Sequence, residues 1–432
     1  MGRRMNDERI RRRLREDPTG DPEHEPGLLF ERLATAAATP AVRTRINARW
    51  GGQLALLVGA VVIGLAIGLR QAPSGPGSSP TPAASTPSWS MNPERLQASL
   101  EEWAARNGGP SLSLTVIGTL GAESTISRSS PGRPAPAAVR IGEVSRVFLV
   151  SAVVGLAQCS STGELGDCPL PVARGAFGLD DRVSRWRVGV PGDPTVRQLL
   201  DGSSGLAAIA PSLQGLRTQV LEDPTADWSR AAVLAAALAS PPRFAPGAQH
   251  SPVDTEALLL EDLISRATAR PPGDWIDAST ILHMGLGQTH LSGPAPGGIA
   301  RGHDAAGTAL VDLEPALLDL VGNEAGMTSD STDLARFAVA AWGSAILRPP
   351  SWVALVTDAS DGHRQPWGAT GVCPCVDGQP TVIAQLGDAV GWAALAAYDF
   401  EDHVAVAVVV DADPGPAAMG QLLTALVGVI RD

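Results

Sequence analysis

The chain has 432 residues and a formal net charge of −12 at pH 7. Its length allows a large core and by itself suggests two or three domains, while the acidic balance argues against a nucleic-acid partner. No lysine occurs and Tyr398 is the single tyrosine, which excludes a lysine base or Schiff base; arginine, protonated at any working pH, cannot replace it.

Residues 1–49 are rich in arginine (Arg3, Arg4, Arg9, Arg11, Arg12, Arg13, Arg15, then Arg43, Arg45 and Arg49) with acidic residues interspersed. The composition predicts a solvated tail, with a short helix over 28–38. Residues 50–70 read as a membrane span: Gly51 to Leu69 is a stretch of 19 uncharged residues bracketed by Trp50 and Arg70. That length crosses a hydrocarbon core of about 30 Å. The excess of arginine on the N-terminal side predicts a cytoplasmic tail and an extracytoplasmic domain, a single-pass protein of the cell membrane. A signal peptide fits less well, because the leader would be too long and no A-x-A site follows. No cysteine follows the span to carry a lipid. Residues 71–91, rich in Pro, Ser, Gly and Thr, predict an extended linker.

Residues 92–432 read as one domain. Asn92-Pro93 starts a helix to about 107. Strands are expected at 112–118 and 123–128. Ile141 to Gln158 is a nearly all-apolar helix, expected to be buried, with Glu143 and Arg146 on one face of its first turn. A region of loops and helices follows, about 160–345. Strands return at 381–386, 392–400 and 403–411, and a helix closes the chain at 416–431. This order predicts an α+β fold in three α/β/α layers, with an antiparallel sheet between N- and C-terminal helices and an inserted, mainly helical subdomain. The sheet part would be about 92–142 and 346–432, and the helical part about 143–345.

Ile141-Gly-Glu-Val-Ser-Arg-Val-Phe148 resembles the nucleophile helix of serine beta-lactamases and penicillin-binding proteins, in their class C and esterase-like branch. There the pattern is Ile-Gly-Ser-Val-Thr-Lys-x-Phe. The serine is acylated and the lysine helps to deprotonate it. Gly178-Leu-Asp-Asp-Arg-Val183, Thr195 to Leu206, Phe244 to Ser251, Ile299 to His303 and Glu324 to Phe337 are similar to later segments of that family, in the same order. The resemblance covers nearly all of 92–432 and implies the family's fold.

It also implies a site whose reacting groups are exchanged. Glu143 stands at the serine position and Arg146 at the lysine position. The Tyr-x-Asn motif reads Pro252-Val253-Asp254. The Lys/His-x-Gly strand reads Leu386-Gly387-Asp388. Acyl transfer needs a nucleophile, a base and oxyanion donors, so no catalytic residues are expected, and no cofactor or metal. Ser145, Ser203 and Ser204 read as structural. The histidines (His250, His283, His290, His303, His363, His403) show no metal-binding spacing. Four cysteines in an exported domain favour disulfides; of the three pairings, Cys159 with Cys168 and Cys373 with Cys375 are preferred. The expected function is a membrane-anchored, catalytically degenerate hydrolase homologue that binds a cell-wall peptide or envelope protein. The alternatives are an active divergent serine hydrolase or peptidase on cell-wall peptides or esters, and a transmembrane sensor signalling through the tail.

Overall fold

The computed structural model describes residues 92–118, 122–162, 168–209, 213–223, 226–292, 298–304, 307–310, 317, 320, 322, 325–343, 370–376 and 379–431, with backbone alone at Thr162, Leu213, Gln214, Arg217, 370–376 and 379–381. The expected tail, span and linker lie outside the described residues.

Helix α1 (Pro93–Arg106) begins where the Asn92 side chain accepts from the Arg95 amide, with Pro93 in the first turn. An Asn cap and a leading proline both suit a helix start. Its Leu96, Leu100, Trp103 and Ala104 are buried at helical spacing. Strands β1 (Leu112–Ile117) and β2 (Glu123–Arg128) pair next. Short β3 (Val139–Arg140) leads through a 3₁₀ turn at Gly142–Val144 into α2 (Ser145–Thr162). The helical part holds α3 (Val196–Leu200), α4 (Leu213–Glu222), α5 (Arg230–Ala239), α6 (Asp254–Thr268) and α7 (Pro272–Ile276). Then come β4 (Thr328–Ser329), which pairs with β3, α8 (Ser331–Trp342), β5 (Thr370–Val376), β6 (Gln379–Asp388), β7 (Ala393–Asp399), β8 (Val404–Val410) and α9 (Pro416–Arg431).

The main sheet has the order β2-β1-β8-β7-β6-β5, antiparallel throughout. Alternate residues face two different apolar layers. Leu112, Leu114 and Val116 of β1, with Val404, Val406, Val408 and Val410 of β8, meet α1 and α9. Ala405, Ala407 and Val409 turn to the other side, with Phe148 of α2 and Phe337 and Trp342 of α8. Alanine on that side leaves room for the aromatic rings of α8, which packs against β8, β1 and β7. Both faces are covered, so these strands read as continuous apolar runs and not as polar–apolar alternation. The three expected layers are present. Helix α8 falls in the range read as helical insert but lies on the sheet, with every residue except Thr332 and Arg336 buried.

The segment Gly142–Ser161 is long and apolar enough to cross a membrane, yet 72% of it is buried inside the domain. Its length serves the core. Cys159 near its end is bonded to Cys168, Cα to Cα 5.6 Å, as expected. The Cys373-Pro374-Cys375 segment, ahead of the strands expected after residue 380, lies in β5. Strand β5 is at the sheet's edge and its register shifts between Val372 and Cys375. An edge or a bulge tolerates a proline that cannot donate to a ladder. The cysteine side chains there lie outside the described ones.

Candidate functional site

The site forms where the end of β6 touches the start of α2. Two glycines permit the contact. Gly142 has φ +50°, and a Cβ on it would fall 2.0 Å from the Asp388 carbonyl oxygen. A Cβ on Gly387 would fall 2.2 Å from the Ile141 carbonyl oxygen and 2.8 Å from the Glu143 nitrogen. Backbone therefore meets backbone, an approach only glycine allows. Glu143 then folds onto the strand end: the Asp388 amide donates to Glu143 Oε2 at 2.9 Å.

One turn on, Arg146 Nη2 donates to Asp254 Oδ1 at 2.7 Å, with the two side chains 18% and 28% exposed. Asp254 is the first residue of α6, where free amides and the helix dipole favour a carboxylate. The serine position is thus joined to the backbone amide at the end of β6, and the lysine position to Asp254 through an ion pair. Asp388 is pushed up to about 7, chiefly by burial, then by the Glu143 and Asp413 charges, with Arg146 opposing.

Pro252 packs on the loop opposite. A Cβ on Gly202 would meet Pro252 Cβ at 2.8 Å, so the proline sits where a loop glycine, φ +68°, leaves space. That loop is tied down by a carboxyl outside the sequence motifs, Glu256. Glu256 Oε2 accepts from the Val253 amide at 3.0 Å, and Oε1 accepts from the Ser204 hydroxyl. Ser204 Oγ in turn accepts from the Leu206 amide at 3.2 Å. Burial pushes Glu256 up to about 8, against the hydrogen bonds from Ser204 and Val253. An acid at the third position of a predicted helix is the available signal for such a reach-back.

One expected position is corrected. Leu386 is on the side of the strand facing α1 and α9, packed with that cluster. Side chains alternate along a strand, so Gln385 and Gly387 share the face that meets α2. Gln385 is 3% exposed, its Nε2 donates to the Leu386 carbonyl, and its Oε1 has no hydrogen-bond partner among the described residues. Placing Leu386 at the cleft came from setting the motif one residue late. The close approach of Gly387 to Glu143 fixes the register.

The other candidates are structural in position. Ser145, Ser203 and Ser204 are 0%, 1% and 0% exposed. His250 Nδ1 contacts the Asp201 carbonyl at 2.7 Å and His303 Nδ1 the Asp411 carbonyl at 2.9 Å. His363 lies outside the described residues. Among the described residues no group of three or more His, Cys, Asp or Glu side chains could hold a metal ion. Chemically, the arrangement holds an anion on an amide and a cation on a carboxylate; the hydroxyls nearest to it are enclosed.

A family model described as Beta-lactamase matches residues 171–428, a range that begins after the helix carrying Glu143 and Arg146. Among curated proteins no sequence matches the chain. Similar solved structures include a D-stereospecific amidohydrolase from a Streptomyces species, 21% identical with a TM-score of 0.58, covering 77% of this chain and 98% of that one. A beta-lactamase/D-alanine carboxypeptidase from Pseudomonas syringae is 14% identical with a TM-score of 0.59, covering 78% and 98%. An octameric penicillin-binding protein homologue from Pyrococcus abyssi is 17% identical with a TM-score of 0.58, covering 79% and 78%. At these identities the likeness concerns the fold.

Proposed function

The chain belongs to the Beta-lactamase family, and from that premise we propose that it is a membrane-anchored, extracytoplasmic member whose cleft binds without hydrolysing. The observation that carries this reading is the hydrogen bond from the Asp388 amide to Glu143 Oε2. An acyl group attacked at the start of α2 would need that amide, or one like it, for its developing oxyanion. A carboxylate of the chain occupies it. The residue in the nucleophile position is the same Glu143, and the residue that would act as its base is an arginine committed to Asp254.

Two further points support the reading. Arginine cannot accept a proton at neutral pH. Ser145 and Ser204 are enclosed, and Ser204 already serves Glu256 and Leu206. We propose a cell-wall peptide or an envelope protein as the bound partner, with the arginine-rich residues 1–49 on the cytoplasmic side. A D-stereospecific amidohydrolase and a beta-lactamase/D-alanine carboxypeptidase among the similar solved structures make D-amino acid-containing wall peptides the first ligands to try.

The test is turnover by the full chain in detergent of a chromogenic cephalosporin, a nitrophenyl ester and D-alanyl amides, alongside retention on purified wall sacculi. Retention without turnover is expected. Turnover that disappears when one serine is replaced would overturn the proposal. Cleavage of the main domain by protease added to intact cells is expected as well; protection would remove the topology.

A further inference from the structure

A cavity of about 250 Å³ opens at the end of the sheet, lined by Arg106, Asn107, Arg133, Asp304 and Asp413 with Pro and Gly backbone between them. Its walls carry opposite charge. Arg106 and Asn107 come from the end of α1, and Arg133 from the loop after β2. Asp304 comes from the segment before the Ala309 bridge, and Asp413 from the turn between β8 and α9. From this dipolar wall pair we infer a binding site for a small zwitterion, an α-amino acid or the like, with its carboxylate toward Arg106 and Arg133 and its ammonium toward Asp413.

The charge pairing inside the walls supports that orientation. Among the described residues Arg106 is held only by Glu102, an exposed i,i+4 pair with side chains 64% and 70% accessible, and such pairs are weak enough to give way to a ligand. Arg133 is anchored by Nη2 to the Gly109 carbonyl at 3.0 Å, with Asp411 3.6 Å from Nη1, so its guanidinium is fixed in place. Asp413 is half-buried. One oxygen accepts from the Gly415 amide at 2.9 Å, and no described cation pairs with it. Burial raises its pKa. A carboxylate without a counter-charge, facing a cavity, is the group most improved by an incoming ammonium.

Size narrows the ligand. Sites for drug-sized molecules run from about 300 to 1,000 Å³, so a volume of about 250 Å³ suits something smaller. The cavity's lining shares no residue with the contact between Glu143 and β6, and the inference does not depend on the proposal made for that contact. The two are in electrical communication, since the Asp413 charge helps to raise Asp388. An ammonium held at Asp413 would lower the pKa of Asp388.

The test uses the full chain in detergent and titration calorimetry with glycine, D-alanine and L-alanine as probes. N-acetylalanine, which lacks the cation, and alaninamide, which lacks the anion, are the controls. Saturable binding of at least one free amino acid is expected, with at least a tenfold loss for each control. Asp413→Asn, which keeps an acceptor for Gly415, and Arg106→Gln should each weaken binding at least tenfold while leaving the melting temperature near that of the unaltered chain. Three results would overturn the inference: no saturable binding of any of the three amino acids, a control that binds as well as they do, or variants that fold normally and bind unchanged.

Discussion

Replacing Glu256 by glutamine should change how stability depends on pH. Glu256 is 0% exposed and accepts from the Ser204 hydroxyl and the Val253 amide. Its carboxyl titrates at about 8 in the fold against an ordinary value of 4.5. Below 4.5 it is neutral in both folded and unfolded chains and contributes no pH dependence. Between the two values the unfolded chain ionises and the folded one resists, so stability falls as pH rises. One such group gives about 1.4 kcal/mol per pH unit, or about 3 kcal/mol from pH 5 to pH 7.5. Asp333, raised to about 6, and Asp388, raised to about 7, act in the same direction, so the difference between unaltered chain and variant is the quantity to read. Glutamine keeps the shape but loses one acceptor, at a cost of about 1–2 kcal/mol. Urea denaturation across this range should find Glu256→Gln less stable at pH 5 and level with or above the unaltered chain near pH 8. Parallel stability curves for the two proteins would refute the buried, neutral Glu256.

Other substitutions probe the same construction. Arg146→Met or Asp254→Ala should each cost about 1–2 kcal/mol, between the exposed and buried limits for ion pairs, because the two side chains are 18% and 28% exposed. A double-mutant cycle should show coupling, and strict additivity would argue that the pair contributes nothing. Gly387→Ala places a methyl 2.2 Å from the Ile141 carbonyl oxygen and should cost about 3 kcal/mol by overpacking; Gly155→Ala, which meets nothing within 4 Å, should be neutral or stabilising in thermal melts. Loss of the Cys159–Cys168 bond, spanning nine residues, should cost about 2–3 kcal/mol by the chain-entropy estimate, read as a shift in denaturant midpoint on adding reductant.

Much of the fold was legible because its signals are local. Asn92-Pro93 marks a helix start, and the apolar run after Glu143 marks a buried helix, and both are where expected. The strands after residue 380 were legible as apolar runs. What they could not reveal was which face each residue takes, because Val on one side and Ala on the other are both apolar. That is why Leu386 was placed at the cleft. The residue that fixes the register, Gly387, identifies itself only through a backbone contact with a helix more than 200 residues away in sequence. Strand β5 was hidden by its proline, which only an edge strand or a bulge accommodates. The Arg146–Asp254 pair joins residues 108 apart in sequence and depends on where α6 begins, which no local pattern marks. Glu256 was missed because its third-position placement signals a reach-back bond only once the start of α6 at Asp254 is known.

The central claim is that this cleft has no acyl-accepting hydroxyl. Intact-mass analysis of the full chain after incubation with a fluorophosphonate and with benzylpenicillin tests it most directly. An unchanged mass is expected for the unaltered protein with both reagents. Slow labelling or none is expected for the double variant Glu143→Ser with Arg146→Lys, since Pro252 and Gln385 still leave the surrounding groups incomplete. A stoichiometric adduct on a serine of the unaltered chain, Ser145 or Ser204 above all, would contradict it and show a rewired enzyme in place of a binding domain.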